Sequence, residues 1–364
     1  MEEAKLRKLG RGPLKAPNVQ ELAKQQLATI PPQYIQDNVE KTSYYNSSML
    51  LPQIPVIDME QLLHGHDHDS ELDRLHFACK EWGFFQVVNH GVSISLMEKL
   101  KSEIQAFFDL PLEEKKKFEQ QEGSIEGFGH DFVFSEEQKL DWIDLFYITT
   151  LPVYLRQPHL FPRLPLSLRD TLEAHSQEFK NLAISILNQM AKALKMDEKE
   201  MRDLYTDGMQ LLRMNYYPPC PEPDRTYGLN PHSDTDALTI LMHLNKTEGL
   251  QVRKDNTWVP VKSLPNALTV NIGDMMEILS NGVYKSIEHR VIVNSKERRL
   301  SLATFYTFNH DSELGPALSL TGSNNPPIFR RTNLAKSLEI FSKRKINGKS
   351  FVDIVKIDTK DDKS

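Results

Sequence analysis

Between residues 210 and 308 the chain breaks into short β-rich runs separated by turn residues: Gln210–Tyr217, Leu238–Leu244, Leu250–Arg253, Trp258–Val261, Ala267–Ile272, Ser286–Val293 and Leu300–Phe308. Short strands at this close spacing predict a sandwich or a barrel. Asp255-Asn256 reads as a hairpin turn between two of the runs, and Asn281-Gly282 is a second strong turn signal.

The preceding half is mainly helical in pattern. After a polar N-terminal extension (1–50) with one helical stretch at Val19–Thr29, Ile54–Asp58 reads as a strand. Apolar spacing predicts helices at Leu72–Trp82, Ser95–Phe108, Leu112–Gln120 and, longest, Leu166–Leu194. Gly83 should end the first of these, Phe84–Asn89 should be a buried strand, and Ser93 or Ser95 should cap the second helix. These signals divide the chain into an extension (1–50), a helical N-terminal domain (51–208), a β-rich core with a C-terminal helix (209–345) and a tail (346–364).

Composition excludes several classes. A net charge of −6 without a basic stripe argues against nucleic acid as a partner. The two cysteines, Cys79 and Cys220, cannot build a disulfide scaffold and fit a reduced, cytoplasmic setting. No apolar run reaches the length of a membrane span, and the charged first residues do not form a signal peptide.

The chemistry concentrates in the β-rich region. His232-Ser233-Asp234 is the one His-x-Asp triplet of the chain. If it lies on a strand, His232 and Asp234 point to one face. His289, on the run Ser286–Val293, would complete a set of two imidazoles and one carboxylate. Such a set binds one side of a metal and leaves its other positions open, which suits Fe(II). Arg299 and Ser301, one strand further along, are spaced to hold the distal carboxylate of a dicarboxylate co-substrate whose other end chelates the metal; 2-oxoglutarate has that shape. Tyr217 could add a hydrogen bond, and Asn215 faces the same way.

These residues resemble a family. Asn215-Tyr216-Tyr217-Pro218-Pro219-Cys220-Pro221, Pro231-His232-Ser233-Asp234, Asn271-Ile272-Gly273-Asp274, Ser286-Ile287-Glu288-His289-Arg290 and Arg299-Leu300-Ser301 are similar to the plant 2-oxoglutarate and Fe(II)-dependent dioxygenases. The run from Trp82 to Gly91 resembles that family's helical domain. Within it, Phe77–Gly83, Glu126–Gly129 and Lys139–Trp142 are most similar to the thebaine and codeine demethylase and senescence-related group.

The resemblance implies an α+β fold with a double-stranded β-helix (jelly-roll) core. It implies a monomeric enzyme that couples 2-oxoglutarate decarboxylation and O2, with ascorbate as a support, to oxidation of a small molecule. The metal carboxylate Asp234 is present, where family halogenases carry a small residue. Hydroxylation, O- or N-demethylation and oxidative ring closure remain open, on a lipophilic or cationic alkaloid. A hormone or flavonoid oxidase, or a silent binding module, are the competing readings. Pocket positions implied are Leu145, Tyr147, Phe305, Tyr306 and Thr307, with Phe132 and Phe134 in a lid loop. Thr235 and Asp236 follow the metal pair, and Asp236 is expected to orient a cationic amine. The cluster His64–Asp69 reads as a polar loop, and His90 as a core residue.

Overall fold

A computed structural model describes residues 17–25, 27–40, 52–121, 124–130, 138–337 and 350–357. The principal strands are β1 (Val56–Asp58), β2 (Phe84–Val88), β3 (Gly127–Gly129), β4 (Asp144–Leu151), β5 (Gln210–Tyr217), β6 (Leu229–His232), β7 (Leu238–His243), β8 (Leu250–Lys254), β9 (Thr257–Pro260), β10 (Leu268–Ile272), β11 (His289–Val291) and β12 (Arg299–Tyr306). They form an eight-stranded sheet, ordered β1-β2-β10-β7-β12-β5-β4-β3, and a four-stranded sheet, ordered β6-β11-β8-β9. This is the two-sheet arrangement expected of a jelly roll.

Alternation along the strands gives the large sheet two different faces. Leu212, Met214, Ile240, Met242, Val270 and Leu302 belong to the main core, with Phe179, Leu182 and Ile186 of the helix Leu166–Leu194. That helix buries residues at three- and four-residue spacing, so its apolar stripe lies along the sheet. Each such side chain removed from water contributes roughly 1.5–3 kcal/mol. The residues between them, at odd positions of β4, β5, β7, β10 and β12, turn to the opposite face, where the polar and candidate site residues lie.

Several elements differ from their sequence expectation for local reasons. The N-terminal helix covers Val19–Lys24. The helix expected at Leu72 begins at His68, runs to Phe77 and widens into a π-helical turn at Ala78–Trp82. Gly83 ends it at φ +59°, and a Cβ there would stand 2.2 Å from the Lys285 carbonyl oxygen, so both conformation and space require glycine. The cap of the next helix, Ile94–Asp109, is Ser93, whose hydroxyl accepts from the Leu96 N–H. The helix Leu112–Lys116 stops before Gln120 because the Gln120 N–H donates to the Phe128 carbonyl and the Phe128 N–H donates to the Phe118 carbonyl, beside β3. Strand β11 is shorter than the run Ser286–Val293. At one end the Ser286 N–H is diverted to the Glu277 carboxylate, 2.7 Å away. Asp255 and Asn256 both take positive φ, as the tight turn between β8 and β9 demands. In the tail, a helix at Ser350–Val355 is described, and it packs against the helix Asp274–Leu279.

Candidate active site

The metal ligands come together at the edge of the small sheet. β6 and β11 are antiparallel, and His289 stands directly opposite His232. Their rings lie 4.2 Å apart, and each Nε2 is 3.6 Å from Oδ1 of Asp234. His232 and Asp234 do not share a strand face: β6 ends at His232, and Asp234 follows just before a bend at residues 235–237. What aims its carboxylate is therefore hydrogen bonding from other strands, not strand parity. Thr239 Oγ1 and Asn271 Nδ2 donate to Oδ2 at 2.6 and 2.8 Å, and the Asp274 N–H donates to the Asp234 carbonyl at 2.8 Å. With Oδ2 held by two donors, Oδ1 faces the imidazoles.

The tautomers follow from the carbonyls beside the rings. His232 Nδ1 lies 2.7 Å from the Asn230 carbonyl oxygen and His289 Nδ1 lies 3.3 Å from that of Ile287. A carbonyl only accepts, so both Nδ1 atoms carry the proton and both Nε2 lone pairs point inward. Burial pushes the His289 imidazole down to about 4, assisted by His232. Burial alone would raise the Asp234 carboxyl, but His289, His232 and Thr239 together hold it well below the usual carboxylate range. Burial lowers the His232 imidazole, but Asp234 outweighs it and raises it overall. The site thus offers two imidazole nitrogens, His232 once it gives up its proton to a metal, and one carboxylate oxygen, the donor set suited to Fe(II). Among the described residues it is the one group of three or more such side chains close enough to hold an ion.

The co-substrate residues sit on the large sheet. β12 follows β11 in sequence but belongs to the other sheet, so Arg299 and Ser301 are not one strand further along a common layer. On β12, Arg299 pairs with Tyr217 and Ser301 with Asn215 of β5. Ser301 Oγ accepts from Arg299 Nη1 at 3.2 Å and from Asn215 Nδ2 at 3.3 Å. The guanidinium lies 5.1 Å from the Tyr217 ring centre. Arg299 is 3% exposed, yet its Nε and Nη2 have no hydrogen-bond partner. Buried donors left this way are costly unless a ligand takes them. A carboxylate is the ligand that suits such a fork, so the residues fit the distal end of 2-oxoglutarate.

Of the expected pocket residues, Leu145, Tyr147 and Phe305 do lie on this face. Leu145 pairs with Asn215, and the Tyr147 and Phe305 rings are 6.1 Å apart. Leu211, Ala303 and Phe305 form a small apolar cluster of their own, flanked by Tyr147, Met209 and Leu241 and separate from the main core. It adjoins Thr239, which pairs with Phe305 across β7 and β12. Tyr306 points the other way: its hydroxyl accepts from Gln210 and its ring belongs to the main core. Thr307 lies beyond the end of β12, with its hydroxyl engaged by the Met209 N–H and the Phe308 carbonyl.

Thr235 and Asp236 are half-buried in the bend. Burial, then the neighbouring Asp234, pushes the Asp236 carboxyl up to about 8. Its backbone closes against Gly273, where a Cβ would come within 1.9 Å of the Asp236 carbonyl oxygen. Phe132 and Phe134 lie outside the described residues.

Of the cluster at residues 64–69, only 65–67 form a turn, and the flanking residues are helical. His64 ends the helix Met59–His64, and His68 opens the next helix with Nδ1 on the Leu62 carbonyl. His90 is half-buried and pins a turn, through the Asn266 carbonyl and the Val92 N–H, and does not join the core.

Three contributors carry roles that the sequence did not assign: Thr239, Arg213 and Asn271, the last quoted only as part of a family motif. The orienting roles of Thr239 and Asn271 were legible only as polar residues at inward positions of apolar strands. Arg213 had a stronger signal, a charge in the middle of a strand buried throughout its length. Its Nε donates to Asn215 Oδ1 at 2.8 Å.

Comparison with known proteins agrees with this geometry. Residues 208–308 match the 2OG-Fe(II) oxygenase superfamily, and residues 54–164 match the N-terminal region described as non-haem dioxygenase in morphine synthesis. Thebaine 6-O-demethylase of Papaver somniferum is 50% identical, covering 98% of this chain and 100% of that one. Oxoglutarate-dependent flavonoid 7-O-demethylase 1 of Ocimum basilicum is 49% identical over 97% of this chain and 94% of its own. The crystal structure of JOX2 in complex with 2OG, Fe and JA superimposes with a TM-score of 0.84 at 35% identity, covering 96% of this chain and 100% of that one. The chain therefore belongs to the 2OG-Fe(II) oxygenases and is a 2-oxoglutarate-dependent dioxygenase that uses Fe(II).

Proposed function

We propose that this dioxygenase removes a methyl group from, or hydroxylates, a small lipophilic polycyclic molecule of plant specialised metabolism. The observation that carries the reading is the apolar wall of Leu211, Ala303, Phe305 and Tyr147, which continues the face that holds Asp234 through Thr239. A flat ring system resting on that wall would present an edge to the metal, and aromatic walls suit such a guest. The relatives named as thebaine and flavonoid demethylases, at nearly equal identity, support demethylation and leave alkaloid and flavonoid as competing substrates.

In this reading His232, Asp234 and His289 hold Fe(II), while Arg299, Ser301, Asn215 and Tyr217 seat 2-oxoglutarate. With both in place, O2 and 2-oxoglutarate are converted to succinate and CO2 while one oxygen atom is delivered to the substrate C–H. On an O-methyl group the product is a hemiacetal, which releases formaldehyde and leaves the free hydroxyl. The protein's own part is positioning: the wall orients the ring, and the bend keeps Thr235 and Asp236 at its rim. The Asp236 carboxylate, in its ionised form, would pair with a cationic amine.

The test is a panel of O-methylated alkaloids and flavonoids incubated with Fe(II) and 2-oxoglutarate. Succinate, formaldehyde and a product lighter by 14 mass units should form together for at least one class. Equal succinate with and without every candidate would sink the reading and favour a silent binding module.

A further inference from the structure

Arg213 lies on the site face of β5, between Tyr147 and Ala303 in register, and is 9% exposed. Its Nε–H can only donate, so the Asn215 atom 2.8 Å away is the carbonyl oxygen. That fixes the amide orientation, which packing alone would leave ambiguous. The Asn215 amide nitrogen then turns to Ser301 Oγ, and more weakly to the Arg213 carbonyl. Ser301 Oγ also accepts from Arg299 Nη1. With two donors on its oxygen, the hydroxyl has one role left, to donate its own proton. Among the described residues no acceptor receives that proton.

We propose that Arg213 is a positioning residue for the co-substrate. By holding Asn215 in one orientation, it obliges the Ser301 hydroxyl to donate to the distal carboxylate of 2-oxoglutarate. Without the guanidinium, the Asn215 amide is free to turn over. Its oxygen would then take the Ser301 proton, and the cradle would lose a donor. The chain Arg213–Asn215–Ser301–Arg299 thus links the apolar substrate wall to the co-substrate seat. This inference rests on the 2-oxoglutarate reading of Arg299 and Ser301.

The experiment is calorimetric titration of the Fe(II)-loaded protein with 2-oxoglutarate in the absence of oxygen. The proteins are wild type, Arg213→Met, Asn215→Asp, Ser301→Ala and the Arg213→Met/Ser301→Ala double variant. An aspartate at 215 accepts from both Arg213 and Ser301, so it should imitate the turned amide without removing the arginine. Each single variant should bind roughly ten-fold more weakly, the worth of one hydrogen bond to a charged group. The double variant should bind no more weakly than the worse single one, because both changes delete the same bond. Pyruvate, which lacks the distal carboxylate, should bind all of them alike.

Losses that multiply in the double variant, wild-type affinity in Arg213→Met, or an equal loss for pyruvate would each overturn the proposal. If Arg213→Met fails to fold, Asn215→Asp against Ser301→Ala decides the matter. Failure of the wild type to bind 2-oxoglutarate would instead refute the underlying co-substrate reading.

Discussion

Thr239 Oγ1 donates to Asp234 Oδ2 across 2.6 Å, and this contact, with Asn271 on the same oxygen, turns the other carboxylate oxygen toward His232 and His289. Thr239→Val keeps the shape and removes the donor. Partners that orient metal ligands are typically worth 10–100-fold in metal affinity. Thr239→Val should therefore bind Fe(II) at least roughly ten-fold more weakly in a competition titration with a chelator, with little change in melting temperature. An unchanged affinity would mean that Asn271 alone orients the carboxylate.

Arg299 is the charged end of the co-substrate seat, with two buried donors awaiting a ligand. Hydrogen bonds to charged groups contribute about 1.5–3 kcal/mol, or roughly a 10–100-fold change in binding. Arg299→Gln should raise KM for 2-oxoglutarate by that factor while KM for the organic substrate stays within about two-fold. Parallel increases in both constants would point to a general distortion of the barrel.

Gly273 closes on the segment that carries Asp234 and Asp236. An added Cβ would sit 1.9 Å from one carbonyl oxygen and 3.1 Å from the other, so the backbone must move. Gly273→Ala should lose Fe(II) binding and destabilise the fold by more than about 2 kcal/mol, in the range of backbone strain at a constrained site. Denaturant unfolding of the metal-free protein separates the two effects. Normal stability with normal metal binding would show that the bend yields at no cost.

His175, fully buried in the helix Leu166–Leu194 and stacked on Phe179, is pushed down to about 3 by burial. Its unfolded value is about 6.5. Between these values the unfolded chain binds the proton and the folded chain does not. The stability it contributes is thus complete above about pH 6.5 and falls as pH drops toward 3. His175→Gln should flatten the fall in melting temperature between pH 7 and 5, though His243, also pushed down to about 3, keeps part of the slope. An unchanged slope would assign the acid sensitivity elsewhere.

Much of this was readable from local pattern. The β5 range matches to the residue, and the β12 range differs by one residue at its start and two at its end, because a strand buried on both faces reads as an apolar run. Asn215, Tyr217, Arg299 and Ser301 fell on one face because side-chain alternation is a property of the strand alone. The Leu166–Leu194 helix followed from its apolar spacing in the same way. Local pattern failed where backbone groups find distant partners. The helix after Leu112 stops early because residues near Gln120 pair with β3, and β11 is short because Glu277 captures the Ser286 N–H.

The sequence by itself determined which residues could bind iron and 2-oxoglutarate, since ligand chemistry and strand alternation are encoded locally. Only the tertiary structure decided how Asp234 is aimed, through Thr239 and Asn271 from two other strands, and that β6 and β11 place His232 opposite His289. It also decided that the apolar wall and the charged seat share one face of the large sheet, with Arg213 between them. The physical reason is that hydrogen bonds such as Asn271 to Asp234, across 37 residues of sequence, leave no periodic trace. They exist only once the two sheets have closed on each other.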